Sequence, residues 1–126
     1  MSETNKANTV AFHKRAVFEG DVDSAFRTYA GSPYRQHNPL IEDGMDGLRK
    51  FAAWMRANRP DAHDKIKRVF ADRDYVMLHS QWHGLSDSPR DEAVVDIYRS
   101  EDGKVVEHWD VIQPIPETAA HSNTMF

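Results

Sequence analysis

Apolar residues recur at helical spacing in the first half of the chain and alternate with polar ones in the second, so helices should come first and strands after. From about Asn8 to Phe18, Val10, Phe12, Ala16 and Val17 fall at roughly helical spacing, and Gly20 stops that helix. Asp21 is placed to cap a second, short helix that turns Val22, Ala25, Phe26 and Tyr29 inward. Gly31-Ser32-Pro33 breaks it, and the run Tyr34 to Pro39 must be extended or looped because Asn38 precedes a proline. A third helix is expected from about Asp46 to Asn58, with Leu48, Phe51, Ala52 and Met55 spaced for burial and Pro60 beyond its end. Strands follow at about Asp64–Ala71, Tyr75–His83, Glu92–Arg99 and Lys104–Gln113, the last stopped by Pro114 and Pro116. The tail from Glu117 is polar up to Met125-Phe126. This order predicts one α+β domain over residues 1–126, with the helices on one face of an antiparallel meander.

The last two strands frame a tight Asp102-Gly103 turn, a strong hairpin signal. If Glu101-Asp102-Gly103 forms a three-residue loop, Ser100 pairs with Lys104, and Asp96 lies opposite His108, Val94 opposite Asp110 and Tyr98 opposite Val106. Alternation then puts Val94, Asp96, Tyr98, Val106, His108, Asp110 and Ile112 on one face. Val95, Ile97, Arg99, Val105, Glu107, Trp109 and Val111 share the other. A two-residue loop would set Asp96 beside Trp109. The first register is preferred because it gathers the polar groups on one surface and leaves the other mainly apolar.

Composition narrows the function class. With 126 residues, 40% hydrophobic and 29% charged, the chain is long enough for a real core and has the make-up of a soluble globular protein. A formal charge of −4 and the lack of a basic stripe argue against nucleic acid as a partner. There is no cysteine, hence no thiol chemistry. The N-terminus lacks the apolar core of a signal peptide and no stretch is long enough to span a membrane, so a cytoplasmic protein with no membrane partner is the expectation.

Seven histidines are present, but none pairs with the helical His-x-x-x-His spacing and glutamate of a zinc hydrolase, and His79 and His83 on one strand ligate a metal awkwardly. No metal and no cofactor are therefore expected. There is no Gly-rich phosphate loop and no nucleophile elbow. What remains is acid–base chemistry by Asp and His in a sheet-lined pocket, because burial raises an Asp pKa and makes it a better base. Asp110 and Asp96 are the candidate catalytic pair, with His108 as a supporting residue. The competing reading makes Asp96 and His108 a cross-strand ion pair and gives Asp110 a loop or an arginine such as Arg35. His37, in a loop, and His79, on a strand face that is either pocket or solvent side, are candidate substrate contacts, together with His108, Tyr34, Tyr98 and Trp54. His13, His63 and His121 are expected at the surface, and Trp82 in the core.

Tyr34-x-Gln36-His37-Asn38-Pro39, followed by Gly44 and Gly47, resembles the first-loop motif of SnoaL-like polyketide cyclases. The segment Val95-Asp96-Ile97-Tyr98-Arg99-x-x-Asp102-Gly103-Lys104-Val105-Val106-Glu107-His108-Trp109-Asp110 resembles their C-terminal hairpin. The resemblance implies a cone-shaped α+β barrel of the nuclear transport factor two-like superfamily, its curved antiparallel or mixed sheet wrapped around a pocket that N-terminal helices close. It implies an aldol or isomerase-type enzyme without metal or cofactor, with Asp110 as base and Asp96 in the position of its acid partner, where the cyclases look more like a histidine. It places His37 at the pocket rim and implies a homodimer through the outer sheet face, for which Val95, Ile97, Trp109 and Val111 are suited. The expected ligand is a small, mainly apolar carbonyl compound. The same fold hosts non-catalytic ligand-binding modules and epoxide-hydrolase-type enzymes that activate water with an Asp-Arg-Asp set, in which Arg35 or Arg99 would have to serve.

Overall fold

A computed structural model describes residues 2–126. Helix α1 (Ser2–His13) runs into a π-helical turn (Lys14–Phe18) and ends at Gly20, whose φ of +71° suits glycine. Asp21 then caps α2 (Val22–Tyr29) as expected, its side chain accepting the Ser24 backbone N–H. Helix α3 spans Gly44–Asn58. The strands are β1 (Ala30–Gln36), β2 (His63–Asp72), β3 (Tyr75–His83), β4 (Glu92–Glu101) and β5 (Lys104–Pro114). No helix among the described residues is long and apolar enough to cross a membrane.

The sheet has the order β1-β5-β4-β3-β2. The expected meander β2 to β5 is antiparallel throughout, while β1 pairs parallel with β5, so the sheet is mixed. Strand β1 corrects the reading of Gly31-Ser32-Pro33 as a plain break: the segment is an edge strand, where a proline's missing N–H is tolerated. Helices and the inner sheet face share one core, centred on Phe12, which packs on Phe26, Tyr34 and Tyr98 with ring centroids 5.3, 5.8 and 6.1 Å away. Buried Val76, Leu78, Ser80 and Trp82 fall on that face of β3, and Val94, Asp96, Tyr98 and Ser100 on that face of β4.

The hairpin register differs from the expected one in an instructive way. Asp102 and Gly103 both have positive φ, 50° and 78°, and form a two-residue turn in which Glu101 pairs with Lys104. A bulge then adds Val106 on β5, so that Arg99 faces Glu107, Tyr98 faces His108 and Asp96 faces Asp110. Relative to the three-residue loop the pairing slips by two positions, which preserves the faces. Asp96 thus meets neither His108 nor Trp109 directly opposite, yet Asp96, Tyr98, His108 and Asp110 still share the inner side. Val105, expected on the outer face, is buried beside Val106 at the bulge.

Candidate active site

Between the helices and the inner sheet face lies a cavity of about 590 Å³, walled by Phe12, Leu48, Phe51, Trp54, Trp82 and Leu85 among other apolar residues. One part of its lining is polar. Asp96 and Tyr98 enter from β4, His108 and Asp110 from β5, and Gln36 and Asn38 from the end of β1 and the loop after it.

His108 is the hub. Its Nε2 lies 2.8 Å from Asp96 Oδ1 and 3.9 Å from Asp110 Oδ2. Its Nδ1 lies 2.7 Å from Gln36 Oε1. That same oxygen accepts the Asn38 backbone N–H at 3.1 Å, which fixes Gln36 as an acceptor. The Nδ1 of His108 therefore carries a hydrogen and donates it. One further proton lies between Nε2 and Asp96, as imidazolium and carboxylate or as imidazole and carboxylic acid. The second oxygen of Asp96 is buried and has no partner among the described residues.

Asp110 is held by a different device. Asn38 Nδ2 lies 2.9 Å from each carboxylate oxygen, while Asn38 Oδ1 accepts the Leu40 backbone N–H at 2.8 Å. With its oxygen engaged, the Asn38 amide presents its N–H donors to Asp110. Burial pushes the Asp110 carboxyl above its ordinary value; the Asn38 hydrogen bond and His108 pull the other way, and the charge of Asp96 adds to the rise. Asp96, His108 and Asp110 also offer one ligand atom each within 4.8 Å of one another. Asn38 holds both Asp110 oxygens, each of which keeps a lone pair for a further partner, and the Asp96–His108 contact has hydrogen-bond length.

Six of the eight expected site residues line the cavity: Asp96, Asp110, His108, Tyr34, Tyr98 and Trp54. The other two point away and are corrected. His37 lies on the outer side, its ring stacked on Trp109 at 4.7 Å and its Nε2 2.7 Å from Glu107 Oε2. That contact, ahead of a hydrogen bond from Arg99, holds the Glu107 carboxyl below its ordinary value despite partial burial. His79 shares the solvent side of β3 with Tyr75, Met77 and His83, beside Arg68 and the Phe126 ring. Both follow from period two: Gln36 and Asn38 face inward and His37 between them cannot, and Leu78 and Ser80 likewise send His79 outward. The same alternation was the signal for Gln36 and Asn38, which sequence reasoning missed. His13, expected at the surface, is buried and lines the cavity. Arg99 is on the outer face bound to Glu107 and Glu101, and neither it nor Arg35 lines the cavity, which removes the arginine that the epoxide-hydrolase arrangement needs.

The family described as SnoaL-like polyketide cyclase matches residues 7–119. No curated protein matches the chain. Solved structures do share its fold. TsrD from Streptomyces laurentii is 22% identical, with a TM-score of 0.66 over 85% of this chain and 89% of that one. A candidate SnoaL-like polyketide cyclase from Jannaschia sp. CCS1 is 18% identical, with a TM-score of 0.73 over 88% and 86%. AclR from Streptomyces galilaeus, a candidate hydroxylase, is 20% identical, with a TM-score of 0.71 over 90% and 81%. At such identities the likeness is one of fold: three helices on an open, five-stranded mixed sheet, consistent with the expected cone.

Proposed function

Because the chain belongs to the SnoaL-like polyketide cyclase family, we propose that it acts on a small, mainly apolar carbonyl compound by cofactor-independent acid–base catalysis of the aldol, cyclase or isomerase type. The observation that carries this reading is Asp110: a largely desolvated carboxylate with a raised pKa, oriented by Asn38 and opening on an apolar cavity. A base of that kind gains strength from poor solvation. In the proposed step an Asp110 oxygen takes a proton from the carbon beside the substrate carbonyl. The C–H electron pair moves into the enolate, and its charge onto the carbonyl oxygen. In aldol closure the enolate carbon then forms a C–C bond to a second carbonyl, whose oxygen takes the proton shared by His108 and Asp96. Asp110 releases its proton to solvent and the pair regains one, which restores the site. In isomerisation the Asp110 proton returns at another carbon.

The test is proton–deuterium exchange of enolisable ketones in D2O, followed by NMR. Asp110→Asn should slow exchange by about 10²–10⁴-fold while the melting temperature stays near that of the wild type. A variant that exchanges at the full rate sinks the proposal. One observation favours a second reading, a binding module without turnover: the Asn38 N–H donors stabilise an ionised Asp110 that could simply orient a ligand.

The reading extends to assembly. Phe70, Met77, Ile97 and Trp109 pair in one row across β2, β3, β4 and β5 on the outer face. Val111 nearby is 69% exposed. An apolar surface of this kind supports pairing with a second copy of the chain.

A further inference from the structure

One buried ionisable cluster takes no part in the chemistry above. His13, the last residue of α1 before the helix widens into its π-turn, is 1% exposed. Its Nδ1 lies 2.6 Å from the Tyr98 hydroxyl and its Nε2 2.9 Å from Asp64 Oδ2 on β2. Both His13 and Tyr98 line the cavity, and the Tyr98 ring packs on that of His108 with centroids 4.7 Å apart. Carboxylate, imidazole and phenol are thus joined in a line that ends at the polar part of the pocket.

The charges around His13 favour its cationic form. Burial alone would lower its pKa. The hydrogen bond to Asp64 and the negative charges of Asp96 on β4 and Asp64 on β2 outweigh that and the opposing Lys14, so the net direction is upward. Phe18 and Trp82 complete its surroundings and carry no charge. In the imidazolium form Nε2–H donates to Asp64 and Nδ1–H donates to the Tyr98 oxygen. The hydrogen of Tyr98 then has no acceptor among the described residues, because His13 is the one hydrogen-bond partner of that oxygen. It is left to an acceptor inside the cavity, and its donor strength is raised by the cation behind it. Burial, with the charge of Asp96, pushes the Tyr98 hydroxyl far above its ordinary value, so it keeps its proton.

We propose that Tyr98 is an oxyanion donor of this pocket, giving a hydrogen bond to the carbonyl or enolate oxygen of the ligand, with His13 and Asp64 as positioning residues that polarise it. This rests on the reading that the cavity takes a carbonyl compound, but it does not depend on Asp110 being a base. It supplies what the base needs, since proton abstraction leaves negative charge on an oxygen that His108 and Asp96 need not both reach.

The probe is 2-naphthol, a flat aromatic with one acidic hydroxyl, whose fluorescence separates the neutral from the anionic form. Wild-type protein should bind it with an enlarged anionic fraction at pH 7. Tyr98→Phe should weaken binding of the anion by about tenfold or more, and His13→Gln should give part of that loss. Asp110→Asn, which removes a competing negative charge, should keep or enlarge the anionic fraction. Failure of the base reading would thus appear as ketone exchange that Asp110→Asn leaves at the full rate, with the naphtholate signature intact. A second measurement needs no variant to fold: ring ¹⁵N shifts of His13 in the wild type should be those of a doubly protonated imidazolium at pH 7. A neutral His13 ring, a wild type that does not bind 2-naphthol, or a Tyr98→Phe protein with unchanged anionic fraction would each overturn the proposal.

Discussion

Replacing Asp110 by Asn has a consequence for stability that can be measured without knowing a substrate. The folded carboxyl titrates above its ordinary value of 3.8. Between those two values the native state keeps a proton that the unfolded chain has released, so wild-type stability falls as pH rises through that window. The Asp110→Asn protein has no such slope. Its cost is local: Asn38 Nδ2 donates to both oxygens of Asp110 at 2.9 Å, and an amide side chain there offers it one oxygen and opposes it with a nitrogen. At acid pH, where the wild-type carboxyl is neutral, that is about one ordinary hydrogen bond, or about 1 kcal/mol. In a chain of this length it corresponds to a melting point lower by about 3–5 °C. Each pH unit separating the folded from the unfolded titration then returns about 1.4 kcal/mol to the variant relative to wild type. The melting curves should therefore converge or cross as pH rises above 3.8. The assay is thermal unfolding by circular dichroism of both proteins at matched pH values. A variant that loses ground as pH rises would refute the reasoning, because it would mean that the native fold favours the ionised carboxylate.

Gly47→Ala should be strongly destabilising, since a Cβ there would sit 1.6 Å from the Glu42 carbonyl oxygen; amide NMR shifts should move in the loop after Asn38, and an unchanged melting point would contradict this packing. Leu78→Ala, at a fully buried position that does not line the cavity, should cost about 2–5 kcal/mol in chemical denaturation without altering 2-naphthol affinity. Met77→Glu, in the centre of the outer apolar row, should turn a dimer into a monomer by light scattering while leaving ketone exchange within about twofold. A wild type that is already monomeric would remove the assembly proposal.

The parts of the fold that were legible in the sequence are those set by periodicity. Asp96, Tyr98, His108 and Asp110 could be placed on one face from alternation alone, although the turn was read one residue too long and the bulge not at all. Strand β1 was hidden because Gly31, Ser32 and Pro33 are local breakers; its pairing comes from β5, some 70 residues away in sequence. A loop reading of Tyr34 to Pro39 carries no alternation, and so it offers His37 to the pocket in place of its two neighbours. His13 was illegible for another cause. Its partners, 51 and 85 residues distant, are what make its burial affordable, and nothing in the α1 pattern announces them.

The extra residue Val106 gives this hairpin an arithmetic of its own. Pairing it in the ladder would rotate all of β5 beyond that point by one place against β4, turning Glu107 and Trp109 toward the cavity and His108 and Asp110 out to solvent, whereas deleting it would close the bulge and leave Arg99 facing Glu107 and Tyr98 facing His108. The two-residue turn alone would have built a sheet with its carboxylates on the wrong side. A single deletion between Lys104 and His108 should accordingly be accepted, because the bulge absorbs it, and a single insertion there rejected. A library of hairpin length variants, selected for folding and then separately for ligand binding, should keep both kinds in the first pool and lose the single insertions from the second.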